Sequence, residues 1–468
     1  MQQWTNVGLG QGMEHDLKHI QSICLSSDFH VRKLNSFVAC YVETLVSRKE
    51  IDEKLFELSS LNSGSIAGLQ AVLRSFETSE VQDLDTCMVK LFDGWMILLF
   101  EQGYPLAINT YKVNERAITP SLIEGTLLGS QESFVESSNT NISILRKNVK
   151  SPHLKLERIQ IGQQSQTTVS WLWMAGLVEP STLSELENRL HKVDTDFINC
   201  LILSESLADQ PYSIFPTYVS TIMPGKAVAS LMQGKIIVMV EGSPQVILAP
   251  STFWEFLDAP DDYYSNWLYN TFLKIIRLLA ILISVFLTPY YVAITTFHYP
   301  LITPDLIMPL LEQRTKVPFS PIIETLIISI ILDLIREAGT RLPVKLGQTI
   351  GIVGGIVIGQ AAVESNLASY FLIIMAAIAA ISSFTIPAYI MTNSVLVIRY
   401  AVLLLAAFAG LLGLTIGFAV IALHVLQIRS LGHYFVKPLS PISVAQFIRT
   451  VLRLPMIKYN PKPTKDTH

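Results

Sequence analysis

Through the first 270 residues apolar and polar positions alternate in short stretches; from 272 to 428 the sequence is almost continuously apolar. Residues 29–34 alternate with the period of a half-buried strand, and 36–45 (SFVACYVETL) read as a second. Residues 47–58 then place Ile51, Leu55 and Leu58 at helical spacing. The same order returns later. Residues 158–161 and 167–177 (TTVSWLWMAGL) read as strands, and 181–190 as a helix with Leu183, Leu186 and Leu190 inward. Leu45-Val46 superposes on Leu177-Val178 at an offset of 132, which also carries Ile51 and Leu58 onto Leu183 and Leu190. A hairpin pattern, 91–108 (LFDGWMILLFEQGYPLAI), matches 231–248 (LMQGKIIVMVEGSPQVIL) at an offset of 140, pairing Gly94 with Gly234 and Glu101 with Glu241. Each copy reads as a strand, a glycine turn with proline, and a returning strand. Two such close offsets predict one α/β unit present twice, with a small insertion between its parts.

Between the copies, 129–146 is rich in Ser and Asn but keeps Phe134, Val135, Ile142 and Leu145 as apolar anchors. Asn139, Thr140 and Asn141 are expected to cap a helix or turn through side-chain oxygens, a polar-ligand site being the alternative. Arg146 and Lys147 are expected to be a solvated surface pair, with an anion site as the alternative.

The apolar half holds five segments. Residues 278–297 are uncharged and follow Lys274 and Arg277, which predicts a spanning helix. Residues 318–335 carry Glu324 and Asp333 and run into Arg336-Glu337. The third segment, 347–364 (GQTIGIVGGIVIGQAAVE), repeats glycine every four positions at Gly347, Gly351, Gly355 and Gly359. In water each of these glycines costs about 1 kcal/mol against alanine. In lipid, small residues at that spacing let neighbouring helices approach closely. The four glycines with Gln348, Gln360 and Glu364 are therefore candidate helix-packing or pore-lining positions. Residues 367–390 form the fourth segment and 401–428 the fifth, with glycines at 410, 413 and 417. Five prolines between 296 and 321 predict a rigid connection from the first segment to the second.

Charge decides how these segments are threaded. No basic stretch followed by an apolar core opens the sequence, so the first half is expected in the cytoplasm. From 429 onward seven Lys/Arg stand against Asp466 alone, which places the tail on the same side. Equal sides need an even number of crossings. With five segments, the charged 318–335 is expected to re-enter or lie at the interface, leaving Arg336, Arg341 and Lys345 on the outer side. An ionised group facing lipid costs about 2.5–3.5 kcal/mol or more, so Glu324, Asp333 and Arg336 are candidate intramembrane charges. The structural alternative pairs the two acids with Arg336 or Arg341.

The remaining chemistry is sparse. Cys24, Cys40, Cys87 and Cys200 form no CxxC pair and are expected as small buried hydrophobes. There is no GxxxxGK[ST], HExxH or GxSxG, and the nine histidines lack metal-ligand spacing. No enzyme, cofactor, metal or nucleic-acid function is expected. Asp261-Asp262 beside Tyr263, Tyr264 and Trp267 reads as an interfacial aromatic belt.

Several stretches resemble the A subunits of GerA-type spore germination receptors: EGTLLGSQESFVESSNTNISILRKNVKSPHLKLERIQIG, MVEGSPQVILAPSTFWEFLDAPDDYY, ITTFHYPLIT, and most closely REAGTRLPVKLGQTIGIVGGIVIGQAAVES followed by ISSFTIPAY. The resemblance runs over about 25–455. It departs where the family usually has Arg-Pro-Asp and this chain has Met223-Pro224-Gly225, so no role is carried onto that site. The resemblance implies a nutrient germinant receptor in the inner spore membrane, with its soluble half facing the core. It implies a transporter-like B subunit and a lipoprotein C subunit as partners, and a homo-oligomer that releases ions on nutrient binding. A secondary transporter with its own substrate, or a non-conducting membrane scaffold, are the alternatives. The expected fold is an α+β/α/β soluble half of two similar subdomains, followed by an all-α multi-pass membrane domain. Its expected parts are an N-terminal segment 1–24, subdomains at 25–120 and 157–268 joined by 121–156, membrane helices at 269–428 and a basic tail at 429–468.

Overall fold

The computed structural model describes residues 8–34, 37–60, 76–101, 104–111, 124–126, 128–341, 355, 357 and 359–439. They fall into two compact units, the first within 1–208 and 220–250 and the second within 209–219 and 251–460.

In the first unit, strands β1 (Phe29–Lys33), β2 (Phe37–Val42), β3 (Thr78–Glu80), β4 (Trp95–Phe100) and β5 (Leu106–Asn109) form a sheet ordered β1-β2-β4-β5-β3. Its neighbours are all antiparallel, with Phe29 opposite Val42 and Met96 opposite Ile108. Strands β6 (Leu154–Ile161), β7 (Thr167–Met174), β8 (Val219–Thr221), β9 (Ile236–Val240) and β10 (Val246–Ala249) repeat that order as β6-β7-β9-β10-β8. Helices α1 (Met13–Ile23), α2 (Arg48–Ser60) and α3 (Leu84–Phe92) serve the first sheet. Between the sheets runs α4 (Ser138–Asn148); α5 (Pro180–Leu190), α6 (Cys200–Ser206) and α7 (Pro224–Met232) follow. The starts of α2 and α5 lie 132 residues apart and those of α3 and α7 lie 140 apart, the two offsets read from the sequence.

A shared backbone detail strengthens the repeat. Gly94 and Gly234 both adopt left-handed φ, at 87° and 80°. A Cβ at Gly94 would sit 3.0 Å from the Leu45 carbonyl oxygen, and one at Gly234 would sit 2.6 Å from that of Leu177. Leu45 and Leu177 are themselves equivalent at the offset of 132, so each copy uses glycine to bring its helix-to-strand turn against the same backbone atom. The run WMILLF in β4 is apolar throughout because both faces of the first sheet are covered. Ile97 and Leu99 pack with Leu17 and Ile20 of α1 and Leu84 of α3. Met96 and Leu98 pack with Ile51, Leu55 and Leu58 of α2.

Arg146 in α4 differs from expectation: it is only 1% exposed, while Lys147 is exposed. Ile142, Leu145 and Arg146 lie on the buried side of α4, and Lys147 at the next position turns to solvent. The guanidinium meets Asp28 through Nη2 at 2.8 Å and Nε at 3.1 Å, and donates to the Leu154 carbonyl at 2.7 Å. Thr44 and Ser26 donate to the same carboxylate at 2.8 and 2.6 Å. Burial pushes the Asp28 carboxyl up, but the Arg146 charge and these hydroxyls override it and hold the group below its ordinary value. Asn141 acts as expected, accepting from Val135 N–H at 2.8 Å and donating to its carbonyl at 2.7 Å. All four cysteines are free and buried, and burial pushes the thiols of Cys24, Cys40 and Cys200 up to about 12.

The second unit is mainly helical: α8 (Trp267–Phe297), α9 (Pro304–Arg314), α10 (Pro321–Arg341), a helical stretch at 359–364, α11 (Tyr370–Phe384) and α12 (Tyr389–Gln427). The proline-rich connection is itself a helix, α9, begun by Pro304 where a missing N–H costs nothing. At the start of α8, Lys274 pairs with Asp258 at 2.8 Å and Arg277 with Asp262 at 2.5 Å. Asp262 is therefore buried and paired, while the neighbouring aromatics Tyr264 and Trp267 are exposed.

The fifth apolar segment, read as one span, is a hairpin. Gly410 within α12 has φ 59° and ψ −134°, far from helical values. A Cβ at Gly417 would contact Val402 at 3.3 Å, and one at Gly413 would overlap the Leu405 carbonyl. Residues so far apart in sequence meet because the chain reverses at Gly410 into two antiparallel arms, 389–409 and 411–427. Both free ends reach one loop: Ser394 donates to the Ile214 carbonyl at 2.6 Å, and His424 lies 3.2 Å from Ser213 Oγ. At the tip, a Cβ on Gly410 would come 2.9 Å from His298, just past the end of α8. Beyond the second arm, Phe435 returns to stack on Phe253 and Phe256, ring centroids 6.2 and 5.7 Å away.

Asp28→Ala should lower the unfolding free energy by about 3–5 kcal/mol, because it leaves a buried guanidinium unpaired. The depressed folded-state carboxyl stabilises the wild type above its ordinary value near 3.8, and that share is lost as pH falls through the lower folded value. Urea unfolding followed by tryptophan fluorescence at pH 7 and pH 3 should show the variant's deficit shrinking in acid.

Candidate functional site

Lipid-facing charge is expensive, so the partners of the charged groups in the second unit define its candidate site. Glu324, in the first turn of α10, is fully buried. Its Oε2 accepts from Arg314 Nη1, and its Oε1 accepts from the Ser369 N–H at 2.6 Å. Ser369 Oγ caps α11 through the Leu372 N–H at 3.3 Å and meets the Tyr291 hydroxyl at 2.8 Å. One carboxylate thus ties the end of α9 and the starts of α10 and α11 to the C-terminal part of α8. Nearby, Gln313 accepts from the Tyr370 N–H at 3.2 Å.

Asp333 lies nine residues further along α10. Its Oδ2 accepts from Arg399 Nη2 at 2.6 Å and from the Tyr400 hydroxyl at 2.5 Å, both on the first arm of α12. Neither acid pairs with Arg336 or Arg341, the alternative weighed from sequence. Arg341 pairs instead with Glu337 on the surface at 2.6 Å, and Arg336 Nη1 is buried without a partner among the described residues. The responding cations, Arg314 and Arg399, were not singled out in sequence. Arg399 had one signal: it stands alone between two long uncharged runs, and such a residue needs an acid at its own depth.

Of the glycine-repeat positions, Gly347, Gln348 and Gly351 lie outside the described residues. A Cβ at Gly355 or Gly359 would meet no described atom within 4 Å. Gln360 donates to Glu364 Oε1 at 2.8 Å, one helical turn along an exposed face. Ala362 is buried in a cluster with Tyr291, Val292, Ile328 and Leu372. The stretch therefore packs on its own chain through Ala362, and no described atom closes on Gly355 or Gly359, both of which are partly buried.

Glu324→Leu should destabilise the purified chain in detergent by about 3–5 kcal/mol, and Arg314→Leu similarly, because each leaves one buried charge alone. The double variant should recover most of that loss. A double-mutant cycle of melting curves reads the coupling, and simple additivity would contradict the pairing.

The comparisons with known proteins agree on one family. The model for the Bacillus/Clostridium GerA spore germination protein matches residues 12–465. The chain is 35% identical over 427 residues to the spore germination protein GerQA of Bacillus cereus, covering 90% of this chain and 85% of that one. It is 42% identical over 318 residues to GerIA of the same species, covering 68% of this chain and 48% of that one. Among solved structures, it is similar to the N-terminal domain of the A subunit of the Bacillus megaterium spore germinant receptor GerK3. There the TM-score is 0.40 and identity 22%, over 53% of this chain and 98% of that one. The chain belongs to the GerA family of spore germination proteins.

Proposed function

We propose that this chain is the A subunit of a nutrient germinant receptor in the inner spore membrane, oligomerising to form or gate an ion-release path. Helix α8 is long and apolar enough to cross a membrane by length and composition, and the α12 hairpin is as apolar. Helix α10 has 21 residues, about 31 Å at 1.5 Å per residue, against a hydrocarbon core of about 30 Å. Its start, at Glu324, lies beside Tyr291 near the far end of α8, and its middle, at Asp333, lies beside Arg399. It therefore runs back toward the end where α8 begins.

In this reading α8, α10 and α11 cross, residues 318–335 among them, while the α12 hairpin enters and leaves from one side and so departs from a single pass. Arg336 and Arg341 then lie on the side where α8 begins, the cytoplasmic one by the positive-inside trend. The nutrient is sensed with a transporter-like B subunit and a lipoprotein C subunit, as the family resemblance implies.

The observation that carries the oligomer is that no described atom lies within 4 Å of a Cβ at Gly355 or Gly359. Small residues four apart form close helix contacts in lipid, and no described part of this chain uses these two. Copies of the chain meeting there would bring Gln360 and Glu364 toward a shared axis.

Gly355→Leu should overpack that contact by about 1–3 kcal/mol, weakening association about tenfold while the chain still reaches the membrane. Spores carrying it should fail to release potassium and dipicolinate on nutrient addition; normal release would overturn the reading. Single-channel recording from the reconstituted chain separates a conducting oligomer from a scaffold.

A further inference from the structure

The charges beside Asp333 do not balance. One carboxylate faces Arg399, whose Nη2 lies 2.6 Å away, and Arg336 stands three residues on, along the same helix face. Two guanidinium N–H groups, Nη1 of Arg336 and Nε of Arg399, are buried and lack an acceptor among the described residues. Arg399 itself is only 4% exposed. Tyr400 adds a second donor to Asp333 Oδ2 and takes up part of that carboxylate's capacity. The cluster carries a net charge of +1 and two open donors, so it calls for an oxyanion supplied from outside the chain.

We propose that this cluster, where α10 meets the first arm of α12, binds the phosphate of an anionic phospholipid. The inference rests on the helical unit spanning a membrane. Arg336 lies five residues before the end of α10 at Arg341, about 7.5 Å along the axis, within reach of a headgroup layer. The same two helices present exposed apolar side chains near the cluster, Ile330 and Leu334 on α10 and Val397 on α12. Acyl chains lying on those residues would bring the phosphate to the two open N–H groups. A basic pocket between helices near the cytoplasmic face is a recognised setting for lipid headgroups. A free anion would gain nothing from that apolar approach.

The test uses the full chain purified in detergent and reconstituted with phosphatidylglycerol, phosphatidylcholine or a mixture. Lipid retained by the protein is read by native mass spectrometry, and stabilisation by the shift in melting temperature. The wild type should retain phosphatidylglycerol over phosphatidylcholine. Arg336→Gln should weaken that retention about tenfold. Arg336→Lys should keep part of it, and Arg341→Gln, at an exposed residue paired with Glu337, should match the wild type. Equal retention by wild type and Arg336→Gln overturns the site. Should that variant fail to fold, equal retention of the two lipids by the wild type overturns it instead. Inorganic phosphate giving the same stabilisation as phosphatidylglycerol assigns the site to a free anion and overturns the lipid. Alkaline carbonate extraction keeps the two readings apart. Release of the chain sinks the spanning reading, whereas a chain that stays embedded but shows no lipid preference sinks this site alone.

Discussion

A charge removed from water must find its counter-charge within the fold, and in this chain that requirement fixes elements that sequence leaves far apart. Asp28 and Arg146 are separated by 118 positions, and both are almost fully buried. The guanidinium closes on the lead-in to β1, on α4 and on the carbonyl that opens β6. Ser26 extends the joint, accepting from the Leu156 N–H at 3.2 Å. One side chain therefore sets the second copy of the α/β unit against the first. The helical unit obeys the same rule at Asp262, Glu324 and Asp333, each joined to an arginine on another element or further along the chain. Breaking such a pair costs more than making it gains, so these contacts specify arrangement more than they add stability.

What could be read in advance follows from how local each signal is. The longer strands, the α2 and α5 helices and the two offsets were legible because period and turn chemistry are written within a few residues, whereas the three-residue β3 and β8 are too short to show a period. The matching of Gly94 with Gly234 was visible, and the structure supplies its reason in the carbonyls of Leu45 and Leu177. The burial of Arg146 was not legible, since its surroundings in sequence are polar and its partner lies in another element. The partners of Glu324 and Asp333 were hidden for the same reason: Arg336 and Arg341 follow both acids on one helix, while Arg314 and Arg399 come from separate helices. The reversal at Gly410 was hidden differently. Residues 401–423 are apolar on both sides of it except for Thr415, with none of the polar residues that mark turns in water.

The departure from the family pattern at Met223-Pro224-Gly225 also has a local reading. Met223 is the residue before α7, and Pro224 occupies its first turn, where no N–H partner is needed. The proline keeps a role in starting the helix although the flanking charges are absent. Its neighbours are held from elsewhere: Glu124 accepts from the Thr221 hydroxyl at 2.7 Å, and Phe134 N–H donates to the Ile222 carbonyl at 2.8 Å. The segment between the copies thus grips β8 and the start of α7.

The hairpin and the short strands after it, Arg429–Ser430 and His433–Tyr434, brace the helical unit mechanically. Phe435 is locked onto Phe253 and Phe256, and Ser430 Oγ accepts from the Ser251 N–H at 3.0 Å, so the last described residues rest where the unit begins. His298 abuts the hairpin tip, joining the other end of α8 to the same element. Helix α8 and the two arms therefore make a frame clasped at both ends, which resists sliding of one member past another. Any rearrangement within the helical unit would therefore have to carry α8 and the hairpin along as one body, a fixed post for the helices packed around them.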